Sequence, residues 1–399
     1  MLKGLVLRQE VLARWAAIGL LIFLCVPWLI TSDKHYHQLL YVFLCLPTLL
    51  ALCLGDFRKK LKHPEMLLFA ALAAWTLLIV LLKGDHLEKA KMPFYVLLTL
   101  LGVVLAAQGS RWSLEQLLAG SAVVGALGAI ASIAYFYWVL EPVPGLRIAT
   151  PGLWDTPIMA AHATGALALL GLFIFRCQGQ KPGVVPLVVI ALAYMAFLGL
   201  NQTRGVWLAL FVALVVMVLV SRSRLWWALL LLVLVAVVGV LMFESQMVLQ
   251  RGLSYRPTLW AGGVQLIREH WLLGVGFEPF KIAVPELQMS FKHPHNLFLD
   301  TGVRLGLPGL FLFLLLWGAT VRRAWLNRES TLGRALLALW TFSSVALLTD
   351  GIGLWLKPNA DWLIMWLPIA LAMVLAARQS ASIQPGNPIG LGVTNTGIR

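Results

Sequence analysis

The chain has 399 residues, of which 60% are hydrophobic and only 12% charged, with a mean hydropathy of +0.86. A water-soluble domain cannot hide that much apolar surface, and the Leu/Val/Ala-rich runs approach the ~20 residues a helix needs to cross a hydrocarbon core. The net charge of +14 does not point to nucleic acid, because the cations stand in short tracts between apolar runs, where they set topology and meet anionic lipid headgroups.

The runs are continuous rather than alternating, so the expected fold is an all-α polytopic membrane protein with about twelve transmembrane helices. After a basic lead (Lys3, Arg8, Arg14), spans are expected at Trp15–Ile30, Leu39–Leu54, Met66–Leu82, Pro93–Ala107 and Leu117–Leu140. The first run has no small-residue cleavage site and reads as a span, not a removed signal. The link EPVPGLRIATPGLWDTP carries Arg147 and precedes spans at Ile158–Phe175, Val184–Leu200, Val206–Val220 and Leu225–Phe243. A long loop, 244–296, leads to a tenth span from Leu297, an eleventh ending at Leu348 and a twelfth ending at Ala376. Residues 1–377 therefore read as one transmembrane domain, and the Gly/Pro/Asn-rich stretch 378–399 as a disordered tail.

An even number of spans puts both termini on one side. The tracts Arg58-Lys59-Lys60, Arg222/Arg224 and Arg322/Arg323/Arg328 share that side, which makes it cytoplasmic. Arg147, Arg204, the long loop and the Asp350–Asp361 loop then face outward. Cys25, Cys45, Cys53 and Cys177 show neither metal-ligand spacing nor a disulfide framework.

The chemistry gathers on the outward side. Arg204 opens the eighth span in NQTRGVW, where an arginine either snorkels to headgroups or binds a ligand. Arg256 precedes Pro257, which suits the first turn of a helix. Trp260, Val264, Ile267 and Trp271 follow at helical spacing, as an apolar face of a helix in or near the interface. In HPHNLFLDTGVRLGLPG, Asn296 is a good N-cap, so His295 stands at the positive end of the next helix, a place that favours the neutral imidazole. His293, Arg304 and Arg147 are possible supporting groups. Asp350 either caps a helix, orients an arginine or touches substrate. The His-Pro-His spacing and the lack of a carboxylate cluster speak against a metal.

Convergent arginines and a neutral histidine suit glycosyl transfer from a lipid pyrophosphate. Arg binds that leaving group bidentately at low hydration cost, and one positioned base contributes roughly 10²–10⁴-fold.

TRGVWLAL, RPTLW…GVGFEPF and HPHNLFLDTGVRLGLPG together resemble the O-antigen ligase/polymerase superfamily, and the size and late outward loop look most like its O-antigen ligases. The resemblance implies a GT-C-type fold in the bacterial inner membrane with a periplasmic active site. It implies transfer of polysaccharide from undecaprenyl pyrophosphate to lipid A–core oligosaccharide, with no metal and no cofactor. It also implies that His295 is the general base and that Arg204 and Arg256 hold the pyrophosphate, with a late acidic residue matching Asp350. Single displacement would invert the anomeric centre. An O-antigen polymerase or a protein O-glycosyltransferase would use the same donor. A lipid-linked sugar transporter or flippase would instead need charged or broken helices near mid-membrane and repeat symmetry.

Overall fold

The structure, a computed structural model, describes residues 2–84, 86–143, 145–174, 184–221, 224–243 and 255–382. Arg222, Cys177, the first part of the long loop (244–254) and the expected tail from residue 383 lie outside the described residues.

Helices α1 (Leu2–Cys25), α2 (Asp33–Leu52, with a π turn at Tyr41–Cys45), α3 (Pro64–Lys83), α4 (Met92–Ala106) and α5 (Leu114–Trp138) come first. They are followed by α6 (Pro157–Ile174), α7 (Val184–Asn201), α8 (Arg204–Ser221) and α9 (Arg224–Phe243). The outer segment holds α10 (Arg256–Glu269) and a small antiparallel hairpin, β1 (Ile282–Val284) with β2 (Met289–Phe291), in which Ala283 faces Ser290. Then come α11 (Leu297–Leu326), α12 (Thr331–Thr349) and α13 (Trp362–Ser382). Among the described residues, eight helices are long and apolar enough to cross a membrane: α1 to α5 and α11 to α13. Shorter apolar helices lie in α6, α7 and α8. This is a polytopic membrane architecture.

Helix α13 is the central post. It is apolar on all sides, and such a helix is stable only when wrapped by others. Every residue from Trp362 to Ala377 is buried, against α12, α4, α11, α6 and α3. Around it, α12 is gripped by α8, α11 and α6. The outer end of α12 thus sits where three chain segments meet. The closest approach is at Gly205, where a Cβ would collide with the Thr349 hydroxyl; only a glycine lets α8 reach the last turn of α12.

The tenth expected span contains a break that its apolar pattern does not announce. At Gly306, in α11, the backbone takes φ 68° and ψ −177°, a left-handed extended conformation open to glycine. Pro308 follows, and the break frees carbonyls that must find partners inside the protein. They do: Val275 N–H donates to Val303 O (2.8 Å), Gly276 N–H to Arg304 O (3.0 Å), and Trp75 Nε1–H to Leu305 O (2.9 Å). In return Leu307 N–H donates to Trp271 O at 2.7 Å. The outer loop is thereby sewn into the helix.

The face of α10 matches the expected stripe in part, since Trp260 and Ile267 pack against the core beneath it. Val264 and Trp271 are exposed, while Leu259 and Gly263 are buried. Gly262 and Gly263 let α10 lie close on Ile282 and Pro294. Leu259, Phe280, Ile282, Val284 and Val303 then form a second small core. Close packing through glycines decides the rotation of this helix, and a count of large apolar residues cannot reveal it.

Candidate active site

The site is built from the first residues of three elements and the last of a fourth. Asn296 caps α11, its side-chain oxygen accepting from Leu299 N–H at 3.0 Å. The residue before the cap, His295, has φ +52°, a left-handed conformation uncommon for a non-glycine residue. His295 Nδ1 lies 3.1 Å from Asp350 Oδ1. With the carboxylate as acceptor Nδ1 is the donor, and the tautomer that this selects carries its lone pair on Nε2.

Asp350 is the first residue beyond α12 and is buried. Burial alone would raise its pKa, but the His295 hydrogen bond, with the charges of His295, His162 and Arg256, outweighs burial and holds the carboxyl below its ordinary value. It therefore stays ionised at neutral pH. Its Oδ2 faces Arg256 Nη2 at 3.6 Å, an ion pair slightly too long for a hydrogen bond. Arg256 itself is anchored: its Nε donates to Thr349 O at 2.6 Å. Pro257 and the left-handed Tyr255 start α10 at that point. Arg256 keeps 29% of its side chain exposed and His295 24%, against 7% for Asp350. The carboxylate lies beneath, and the guanidinium and imidazole open outward.

Arg204 is the first residue of α8, next to the Gly205 that touches Thr349. Three sequence-predicted residues, His295, Arg256 and Asp350, are therefore in direct contact, and Arg204 starts its helix beside them. Arg147 is placed differently. Its Nε donates to Asn201 O (2.8 Å) and its Nη2 to Thr203 Oγ1 (2.6 Å), so it straps the α5–α6 link to the turn that presents Arg204. Arg304 pairs with Asp300 at 3.0 Å and lies over the Phe280 ring. The His293 and His295 rings are in contact, with centroids 4.0 Å apart and planes tilted by 60°. Burial first, and then the charges of His295 and Arg304, push the His293 pKa down to about 4, so it is neutral. Among the described residues, no three of His, Cys, Asp and Glu stand together as a metal site would require.

One pair escapes a reading of the sequence alone. His162, in α6, holds Asp361 with Nδ1···Oδ1 at 2.7 Å, and both residues are buried. The available signal is an ionisable residue inside an apolar run, which is costly enough to need a partner.

Residues 187–314 match the family model for O-antigen ligase. An O-antigen ligase from Pseudomonas aeruginosa is 28% identical over 381 residues, covering 93% of each chain. The stretch 187–314 is therefore similar to the O-antigen ligase family. Arg204, Arg256, His293, His295 and Arg304 all fall within the matched stretch. Asp350, His162 and Asp361 lie outside its bounds, so the carboxylate of the site comes from the end of α12, which packs against α8 and α11.

Proposed function

We propose that the protein is an O-antigen ligase of the bacterial inner membrane. It transfers polysaccharide from undecaprenyl pyrophosphate to lipid A–core oligosaccharide at the periplasmic face. The observation that carries this reading is the contact of His295, Asp350 and Arg256 at the outer end of α12, in a chain whose relative is an O-antigen ligase. Twelve spans, both termini cytoplasmic and a GT-C-type arrangement complete the reading.

In the proposed reaction the acceptor hydroxyl gives its proton to His295 Nε2 as its oxygen attacks the anomeric carbon. The bond from that carbon to the pyrophosphate oxygen breaks, and its electron pair leaves with the pyrophosphate. Asp350 fixes the ring and stabilises the imidazolium as it forms. Arg256 and Arg204 neutralise the departing charge, an electrostatic contribution that is strong in a water-poor mouth. Attack opposite the leaving group inverts the anomeric centre. Arg147 sets the position of the Arg204 turn.

The test is reconstitution in vesicles with undecaprenyl-pyrophosphate glycan and lipid A–core, with a chelator present. Glycan attached to lipid A–core by the wild type, and lost in His295→Ala, is the expected result. Lengthened lipid-linked glycan with untouched lipid A–core would make the protein a polymerase, and donor crossing the bilayer without any covalent product would make it a transporter.

A further inference from the structure

A cavity of about 530 Å³ lies beside the histidines, lined by His293 and not by His295 or the proposed pyrophosphate clamp. Its walls come from the segment before α4, from the His-Pro-His segment with the start of α11, and from the loop after Asp350. Neither Arg204, Arg256 nor Asp350 lines it. It is a second compartment, next to the first through the His293–His295 ring contact.

Its walls hold polar atoms that nothing in the described chain satisfies. Asp300 Oδ1, His293 Nδ1 and Trp355 Nε1 are buried and lack a hydrogen-bond partner among the described residues. Asp300 and Trp355 are 0% and 2% exposed, and Arg304 engages only the other Asp300 oxygen. A buried carboxylate oxygen without a donor and an indole N–H without an acceptor each carry a desolvation cost that a hydroxylated ligand would remove. Phe277 and Trp355 offer apolar ring surface for the C–H faces of a sugar. Lys89 and Lys292 add two ammonium groups at the rim. Glu88, on the same lining, is hydrogen-bonded to His86 at 3.1 Å and Arg304 is paired with Asp300, so the two lysines leave the lining with a net positive charge.

We propose that this cavity is the acceptor subsite and takes a phosphate-bearing saccharide, with its hydroxyls on Asp300 and Trp355 and its phosphate between Lys89 and Lys292. The assignment rests on the ligase reading and adds to it the chemical class of the acceptor and the residues that select it. The His293–His295 contact then places the bound sugar next to the base. The donor's pyrophosphate offers the same chemistry to the lysines, so the test must separate the two.

The experiment measures binding to purified, detergent-solubilised protein of core oligosaccharide freed from lipid A, as isolated and after phosphatase treatment. Undecaprenyl pyrophosphate serves as the third probe. Wild type is expected to bind the phosphorylated oligosaccharide about ten-fold more tightly than the treated one, as loss of a charge-assisted contact implies. The Lys89→Ala/Lys292→Ala variant should bind both forms equally weakly and keep its affinity for undecaprenyl pyrophosphate. Restoring charge, in Lys89→Arg/Lys292→Arg, should recover the preference, and an unchanged Tm shows that the variants are folded. Equal binding of both oligosaccharides by wild type overturns the proposal, as does loss of undecaprenyl-pyrophosphate binding in the alanine variant, which would give the cavity to the donor. Failure of wild type to glycosylate lipid A–core, with the phosphate preference intact, overturns the ligase reading and upholds the preference of the cavity.

Discussion

The two ends of one outer loop carry the same pair of side chains in two different settings. At its start Asp350 holds His295, with 7% and 24% of the side chains exposed; at its end Asp361 holds His162, with 6% and 2% exposed. The carboxylates are equally buried, so the difference lies in the histidines. His295 sits before a helix cap and opens outward, whereas His162 is inside α6 and closed on every side. A histidine–aspartate contact alone therefore says nothing about catalysis. The pair with one face open to a substrate can move a proton, and the closed pair pins a loop.

The largest expected effect that would break this comparison is on His295. His295→Ala should lower transfer by roughly 10²–10⁴-fold and leave the Tm of the purified protein unchanged; a similar loss in His162→Ala with an unchanged Tm would erase the distinction. Next is Asp350→Asn, which keeps the shape but removes the carboxylate that sets the tautomer. Transfer should fall on the order of 10²-fold or more, while Asp361→Asn lowers Tm instead. His162→Ala strands a buried carboxylate, at a cost of about 3 kcal/mol or more in stability, read as a lower Tm with normal turnover per folded molecule. Arg256→Lys keeps the charge and loses the planar fork, so donor KM should rise about ten-fold with little change in acceptor KM. Equal donor KM in both would remove Arg256 from the clamp.

The smallest effect is on pH. In the folded protein His293 titrates at about 4, against 6.5 for the free side chain. Between those values the unfolded chain binds the extra proton, so the contribution of His293 is present above pH 6.5 and is lost as pH falls toward 4. His293→Gln should flatten the decline of Tm across that window. An unchanged slope would show that His293 is not the group responsible.

Much of this is legible in the sequence, for physical reasons that differ by residue. Apolar runs dictate helices in lipid, and the observed helices follow most of the expected runs, although α1 begins at Leu2 and not at Trp15. Pro257 and Asn296 announce helix starts by their backbone chemistry, and that chemistry alone puts Arg256 and His295 at helix mouths. Asp350 is visible in the sequence only as one of several roles, because its meaning comes from α8 and α10 closing on Thr349. His162 and Asp361 are 199 positions apart, and no local spacing links residues that meet only through packing. Half of the α10 stripe, Trp260 and Ile267, packs as the pattern implies, whereas Val264 is exposed because the close contacts are made through Gly262 and Gly263. The Gly306 break is hidden because one glycine in an apolar run looks the same whether its φ is negative or positive.

That break has a consequence for the timing of motion in the outer segment. Amides of an exposed loop ordinarily exchange their hydrogens quickly, on local openings that cost little. Val275, Gly276 and Leu307 are tied by the bonds that repair α11, so their exchange must wait until the helix itself comes apart. Hydrogen exchange should therefore find protection typical of the bundle interior at three positions on the outer side of the protein. The wall of the site, although drawn from a loop, would keep the clock of the membrane core.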